Sequence, residues 1–194
     1  LPSSLTLSTQ SSHWRGKLQF MNIQTLDDGI ALTSRPYTQL PQLIINGREN
    51  LPWGLKFTFD SELNYFTHLS ADTSPLTDNI SSTRLHLNPS LNLPLAKPGL
   101  FLVPSIGWFY TGYDLKDSTN STRTHPTLSG AIYSVDAGLI LERPINKQKY
   151  VHTLEPRLLY TYVPYRDQAS LPAPFDTGIP DLSLNQFFRP NRFI

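Results

Sequence analysis

Residues 53–65 read WGLKFTFDSELNY, and apolar and polar side chains alternate along them. One set of alternate positions is apolar apart from Ser61, and it holds Trp53, Leu55, Phe57, Phe59, Leu63 and Tyr65. The positions between them hold Gly54, Lys56, Thr58, Asp60, Glu62 and Asn64. Because successive side chains of a strand point to opposite faces, this period of two predicts a strand with one apolar and one polar face.

The same alternation recurs before and after this stretch. It predicts about seven or eight strands, near residues 4–9, 13–25, 36–46, 53–69, 83–95, 100–113, 129–142 and 150–165. Two of them are irregular. Residues 37–46 are apolar on both faces, so their orientation stays open, and residues 100–113 carry Phe101, Val103 and Phe109 out of phase with the apolar face.

Several of the predicted strands run to about 12–16 residues, whereas strands in globular proteins usually have about 5–6. A tilted strand that crosses a bilayer needs about 9–11 residues for the apolar zone alone. The strand length therefore favours the wall of a transmembrane β-barrel over a soluble β-sandwich.

The links between the predicted strands alternate between short and long. Bacterial outer-membrane barrels have this arrangement, with tight turns on the periplasmic side and longer loops outside. We expect short links at residues 46–52, 95–99 and 143–148, and longer polar ones at 70–82, at 114–127 and after Arg166.

Aromatic residues stand near the ends of the apolar faces, and two interpretations are open. Amphipathic rings favour the headgroup level of a bilayer and would form a girdle there. Aromatic residues are also common in strands of any kind. The positions concerned are Trp53, Tyr65, Trp108, Tyr110, Tyr160, Tyr162 and Tyr165.

The composition excludes several classes of protein. The 194 residues include 16 basic and 15 acidic ones, and this balance argues against nucleic-acid binding, which needs a basic surface. The chain has no cysteine, so it can form neither a disulfide nor a thiolate metal site. No apolar run approaches the roughly 18–20 residues of a transmembrane helix. The 17 prolines disfavour long helices of any kind.

No catalytic motif is present in the sequence. A nucleophile elbow, a phosphate loop and a zinc-protease motif are all missing, and the five histidines lack the spacing of metal ligands. We therefore predict no enzyme and no metal or cofactor site. On the polar faces we expect side chains that face the lumen of a barrel, namely Lys56, Asp60, Glu62, Arg84, His86, Asp136, Glu142, Glu155 and Arg157.

Prolines interrupt several of the predicted strands. Pro156 lies between Glu155 and Arg157, where a strand is expected. A proline has no N–H to donate to the ladder, so we predict a bulge or an unpaired position there. The same problem arises at Pro89, Pro94, Pro104 and Pro164.

Short motifs spread over residues 35–193 carry a family resemblance. The most specific is YTYVPYRDQ at 160–168, which follows LEPR at 154–157. The others are RPY at 35–37, LPQL at 40–43, RLHLNPSL at 84–91, LER at 141–143, FDTG at 175–178 and FFRPNRF at 187–193. In this order they resemble motifs of the LptD family of lipopolysaccharide-assembly proteins. Two positions differ from the family motifs, since Asn88 and Pro144 stand where the family has acidic residues.

The resemblance implies a function in the outer membrane of a Gram-negative bacterium. It implies the barrel portion of a non-enzymatic translocon that inserts lipopolysaccharide into the outer leaflet. In this family a periplasmic jelly-roll precedes a very large barrel, and a lipoprotein, LptE, plugs that barrel. Further partners implied by the resemblance are the periplasmic Lpt bridge, reached through the jelly-roll, and the barrel-assembly machinery during insertion.

The expected fold is an all-β segment of an antiparallel transmembrane β-barrel. Residues 1–194 would form part of the C-terminal outer-membrane barrel domain, with the jelly-roll absent and residues 166–194 forming a large extracellular loop. The start at residues 1–4 lacks the basic and apolar regions of a signal peptide, so we expect a processed chain or an internal fragment.

Other functions stay open on the sequence alone. Another outer-membrane barrel, such as a diffusion porin or a substrate channel, would show the same alternation. A secreted β-sandwich that binds carbohydrate through its aromatic residues would remain in solution without detergent. Within a translocon, the polar residues would either keep a water-filled lumen polar or help to guide an anionic glycolipid.

Overall fold

The computed structural model describes residues 2–23, 38–67, 80–117, 122–145, 150–169 and 171–172. In these ranges the regular structure is β-strand, apart from one 3-10 turn at Pro52–Gly54. No helix among the described residues is long and apolar enough to cross a bilayer. The strands are β1 (Pro2–Gln10), β2 (Trp14–Ile23), β3 (Thr38–Asn50), β4 (Lys56–Thr67), β5 (Ile80–Asn92), β6 (Leu95–Lys97), β7 (Leu100–Asp117), β8 (Thr122–Thr124), β9 (Thr127–Leu139), β10 (Leu141–Ile145), β11 (Tyr150–Leu154) and β12 (Arg157–Tyr162).

The strands form an antiparallel meander, in which consecutive strands pair side by side. The main sheet has the order β1-β2-β3-β4-β5-β7-β9-β12; β6 and β8 also pair with β7, and β10 pairs with β11. Short links suffice to join antiparallel neighbours. Within the described residues the order is linear, with β1 and β12 at its two ends. The predicted all-β antiparallel architecture is confirmed.

Four gaps divide eight long strands into the twelve segments; three of the gaps contain a proline, and the fourth, between β9 and β10, consists of Ile140. Pro94, Pro126 and Pro156 each lie in a gap between two segments, where a residue without an N–H cannot donate to the ladder. The register is the same before and after each gap. Backbone N–H groups still donate to carbonyl oxygens across the gaps, from Leu93 to Pro104 at 3.0 Å, from Tyr113 to Pro126 at 2.9 Å and from Leu139 to Pro156 at 3.0 Å.

The prediction of seven or eight strands agrees with these eight continuous strands, and the unpaired position of Pro156 is confirmed. Pro164 lies after β12. Pro89 and Pro104 lie inside β5 and β7 and are paired on one side only, with Phe59 and Val135, because the ladder between β5 and β7 has no pair at either proline. A proline inside a ladder can still accept a hydrogen bond, as the carbonyl of Pro104 does from Leu93.

One row of leucines crosses five strands and defines the apolar face of the sheet. Leu7, Leu18, Leu43, Leu63 and Leu85 are successive partners from β1 to β5. Partners in a ladder share a face. The row therefore orients β3, which the sequence left open, because Leu43 joins the leucines. Ile44 lies on the other face, opposite Lys17 and Glu62.

Large apolar side chains stay exposed on this face. Leu5, Leu158 and Tyr160 are exposed by 61%, 68% and 62%. Among the residues whose burial is described, Phe66 is the one buried hydrophobic side chain. A soluble domain of this size would bury a contiguous core against a second layer. The described strands instead form a single layer with an uncovered apolar face.

Glycines on the polar face explain the irregular pattern of residues 100–113. Phe101 and Phe109 lie on the polar face, opposite Gly138 and Gly130 of β9. A Cβ added at Gly138 would lie 2.3 Å from the ring of Phe101, and one at Gly130 would lie 2.8 Å from the ring of Phe109. The two rings thus cover the glycine backbone, a known means of stabilising glycine in a sheet.

Two sequence predictions are wrong in detail. Trp53 was expected on the apolar face of a strand, but it lies in the 3-10 turn with φ 62 and is 90% exposed. The strand begins only at Lys56. Residues 114–127 were expected to form a long link, yet β7 continues to Asp117 and pairs with β8. The predicted links at 70–82 and after Arg166 lie largely outside the described residues.

Candidate functional site

The predicted lumen residues share one face of the sheet. The leucine row occupies odd positions in β4 and β5, so the even positions face the other way. The same register, carried through β7 to β9 and β12, assigns the remaining strands. On the face opposite the leucines lie Lys56, Asp60, Glu62, Arg84, His86, Asp136, Glu142 and Arg157, whereas Glu155 lies in the gap between β11 and β12.

Glu62 is the centre of a hydrogen-bonded cluster on this face. Its Oε1 accepts from Gln42 Nε2 at 3.2 Å, from Asn64 Nδ2 at 3.2 Å and from an Arg84 guanidinium nitrogen at 2.9 Å. The donors come from β3, β4 and β5. One carboxylate oxygen therefore links three adjacent strands.

The Glu62 cluster is the most buried part of the described sheet. The side chain of Arg84 is 8% exposed and that of Glu62 24%. The guanidinium of Arg84 lies 4.9 Å from the centroid of the Phe66 ring, a cation–π distance. Asn64, Phe66 and Ser82 are fully buried. Because burial removes water from both charges, the ion pair compensates for part of the hydration that they lose.

Further polar pairs continue along the same face. Asn46 donates to Asp60 at 2.7 Å, and a His86 ring nitrogen lies 2.8 Å from the Thr111 hydroxyl. Thr58 and Ser90 share a hydrogen bond between their hydroxyls across β4 and β5. Each pair joins neighbouring strands, so the polar face is cross-linked as well as hydrophilic.

Asp136 and Arg157 form a second ion pair, between β9 and β12. The guanidinium donates through two nitrogens to both carboxylate oxygens, at 2.9 and 2.6 Å. This bidentate geometry fixes the relative orientation of the two side chains. Unlike the Arg84 pair, this one is open to solvent, with Arg157 45% exposed.

The structure thus brings four of the nine predicted residues into two ion pairs. Asp60 and His86 are hydrogen-bonded to uncharged partners, and Lys56, Glu142 and Glu155 are exposed. The sequence interpretation missed Gln42, Asn64, Ser82 and Phe66. Phe66 carried a detectable signal, because it is an aromatic residue at a polar position of the alternation.

The chemistry available on this face is hydrogen bonding and ion pairing. Among the described residues, no three His, Asp or Glu side chains are close enough together to hold a metal ion. Carboxylates, amides, hydroxyls and the guanidiniums of Arg84 and Arg157 line the face. Carboxylates, amides and hydroxyls can bind sugar hydroxyls, and guanidiniums can bind phosphates.

Comparison with known proteins identifies the family. The family model for LptD, described as LPS transport system D, matches residues 1–194. The chain is 36% identical to the LPS-assembly protein LptD of Thiobacillus denitrificans, over 97% of this chain and 25% of that protein. It is 35% identical to the LPS-assembly protein LptD of Nitrosococcus oceani, over 100% of this chain and 26% of that protein.

A third relative is the LPS-assembly protein LptD of Azoarcus sp., which is 35% identical over 94% of this chain and 22% of that protein. The chain spans about a quarter of the length of the curated relatives it matches. The range matched by the family model contains every described strand. The chain belongs to the LptD family.

Proposed function

We propose that this chain is part of the wall of an outer-membrane β-barrel that inserts lipopolysaccharide into the outer leaflet. The carrying observation is the single-layer sheet with an uncovered apolar face and a cross-linked polar face. In a bilayer the apolar side chains would face acyl chains, and the polar side chains would face a water-filled lumen. The names of the relatives, LPS-assembly protein, supply the transported molecule.

The open strand order supports a larger barrel. The outer edges of β1 and β12 would present unpaired backbone groups, which a bilayer does not tolerate. The rest of the protein therefore has to supply further strands that close the barrel. Residues 1–194 would belong to its C-terminal barrel domain. Residues 166–194, most of which lie outside the described part, would form an extracellular loop.

The separations between consecutive strands give partial support for a barrel. At the end of the sheet where β1, β3 and β6 finish, the links at 11–13, 51–55 and 98–99 are short; at the other end, which we term the long-link end, β2 and β3 are separated by residues 24–37 and β4 and β5 by residues 68–79, but β7 and β8 only by residues 118–121. Periplasmic turns are short and outer loops are long. Near the long-link end the apolar face carries Tyr65, Trp108, Tyr110, Tyr133 and Tyr162, as expected of an aromatic girdle.

Transport would be non-enzymatic on this proposal. The polar face offers ion pairs and amides to a glycolipid that carries sugars and phosphates, and it needs no bond-making step. An LptE-like lipoprotein would plug the lumen. A periplasmic jelly-roll would connect the barrel to the Lpt bridge, and the barrel-assembly machinery would insert it.

The test is depletion of the full-length protein from its host. Lipopolysaccharide exposed on the cell surface is then measured with a label that does not cross the membrane, such as an antibody to its sugar chains. We expect surface lipopolysaccharide to fall while lipopolysaccharide accumulates inside the cell. Unchanged surface lipopolysaccharide, together with a steady ion conductance of the purified protein in planar bilayers, would favour a diffusion porin instead.

A further inference from the structure

A hairpin extends beyond the sheet at its short-link end. β7 begins at Leu100, opposite Leu139, whereas β10 and β11 continue as a pair from Leu141 and Leu154 to Ile145 and Tyr150. The N–H of Ile140 donates to the carbonyl of Gly99 at 2.7 Å, which marks the end of the contact with β7. At about 3.4 Å per residue the hairpin projects roughly 17 Å past the β6–β7 turn.

The apolar face continues onto the hairpin and then becomes basic. Leu141 and Leu154 are partners, and two residues further along Arg143 and His152 are partners on the same face. All four side chains are exposed. Neither Arg143 nor His152 forms an ion pair with a described residue. A leucine pair on the apolar face is thus followed directly by a pair of nitrogen donors.

The position of the change matches the edge of an apolar band. On β9 and β10 the apolar face runs from residue 131 to residue 141. At about 3.3 Å per residue and a tilt near 40°, this stretch crosses about 25 Å, the height of the apolar band in outer-membrane barrels. Arg143 is the first residue of this face beyond the band, where headgroup phosphates begin.

A groove of about 530 Å³ lies against the hairpin and is lined by Leu141, Arg143, His152 and Leu154 among others. Glu142, Val151 and Thr153 also line it, but by register their side chains belong to the opposite face. On the apolar face the groove is bordered by the two leucines and by the two donors to phosphate oxygens. That combination matches a phospholipid, whose acyl chains and phosphate are contiguous.

We propose that Arg143 and His152 bind the phosphate of an anionic phospholipid headgroup in the inner leaflet, next to the leucine pair. This rests on the barrel proposed above. Basic side chains near a membrane surface contribute about 1 kcal/mol each to attraction of anionic lipid, or about fivefold in affinity.

The experiment uses the full-length protein that contains this chain, placed in nanodiscs of phosphatidylcholine with a minor share of phosphatidylglycerol. Native mass spectrometry measures how strongly phosphatidylglycerol is enriched among the retained lipids. We expect Arg143→Gln with His152→Gln to lower this enrichment between about fivefold, if Arg143 supplies the one full charge, and about 25-fold, if both side chains are charged, and Arg143→Lys to preserve it. The matched control is Arg15→Gln with Arg48→Gln, which removes two charges from the polar face at the same end of the sheet.

Each outcome has one meaning. Equal enrichment in the double variant and the parent, or an equal loss in the control, overturns the headgroup site. If millimolar inorganic phosphate abolishes the phosphatidylglycerol enrichment while the other retained lipids stay unchanged, the site binds free anions instead of a lipid headgroup. A changed set of co-purifying polypeptides at constant lipid enrichment would mean a protein partner. If the double variant does not insert into nanodiscs, the phosphatidylglycerol enrichment of the two single variants is compared with that of the parent instead.

Failure of the barrel proposal has a different signature. If the parent protein does not enter nanodiscs and stays in solution without detergent, the membrane assignment itself is wrong. If the parent inserts and only the lipid enrichment is insensitive to Arg143 and His152, the barrel stands and the headgroup site falls.

Discussion

Arg84 on β5 and Glu62 on β4 form a largely buried ion pair of 2.9 Å, and the guanidinium lies over the ring of Phe66. Removing either partner takes the opposite charge away from a largely buried side chain, although Glu62 keeps its hydrogen bonds to Gln42 and Asn64. We expect Glu62→Gln or Arg84→Gln to lower the free energy of unfolding by about 3 kcal/mol. Urea unfolding of the full-length protein in lipid vesicles, followed by gel migration, measures this.

The exposed Glu142 on the same face is the control for this pair, and Glu142→Gln should change the free energy of unfolding by less than about 0.5 kcal/mol. The double variant of Glu62 and Arg84 should cost clearly less than the sum of the single variants, because it leaves no isolated charge. Strict additivity would show that the two side chains are not coupled.

A second prediction concerns Gly138. Its missing side chain leaves room for Phe101, and a Cβ there would lie 2.3 Å from the ring. We expect Gly138→Ala to destabilise the sheet by about 1–3 kcal/mol through overpacking. Gly107→Ala is the matched control, since the nearest atom to its added Cβ is at 3.4 Å. Phe101→Leu should relieve much of the cost of Gly138→Ala; equal effects at both glycines would contradict the packing argument.

A third prediction separates the two faces of β9. Val135 lies on the apolar face and its neighbour Ser134 on the polar face. Near the middle of a bilayer, Val135→Arg should cost about 2–4 kcal/mol, whereas Ser134→Arg should be tolerated because the lumen is wet. The yield of folded full-length protein after insertion into vesicles measures the difference. Similar yields for the two variants would argue against acyl chains beside Val135.

A fourth prediction uses the tryptophans. Trp108 is stacked on Tyr110 on the apolar face with ring centroids 5.9 Å apart, whereas Trp53 lies in a turn and is 90% exposed. In variants of the full-length protein that keep a single tryptophan, brominated lipid should quench Trp108 and aqueous iodide should quench Trp53. The reverse pattern would contradict the orientation of β7 in the membrane.

Period-two alternation was sufficient to predict most of the strands and their faces, because it follows from backbone geometry alone; the orientation of β3 required its pairing with β2 and β4. It failed at Trp53, because the alternation in the sequence continues through residues that form a turn. The turn has positive φ at Trp53 and Gly54. It also failed at residues 114–127, since strands that extend beyond an apolar zone carry polar side chains on both faces and resemble loops.

The Glu62 cluster could not be predicted from sequence, because its members meet only through register. A bulge between Gln39 and Gln42 shifts the pairing of β3 with β4 by one residue. After the bulge Gln42 is the partner of Asn64 and therefore lies beside Glu62. If the register before the bulge had continued, Gln42 would have a different partner. Charged residues could be assigned to a face, whereas their partners on neighbouring strands required the structure.

The scarcity of buried apolar side chains in the described sheet has a consequence for biogenesis. Because Phe66 is the one buried hydrophobic side chain among the residues whose burial is described, collapse in water would gain little. In the proposed barrel, most of the hydrophobic driving force would arise when the leucine row meets hydrocarbon, so folding and membrane insertion would be a single event. Before that event the chain would have to be held apart from its own copies, and on this proposal a holding chaperone should set how long it can wait in the periplasm.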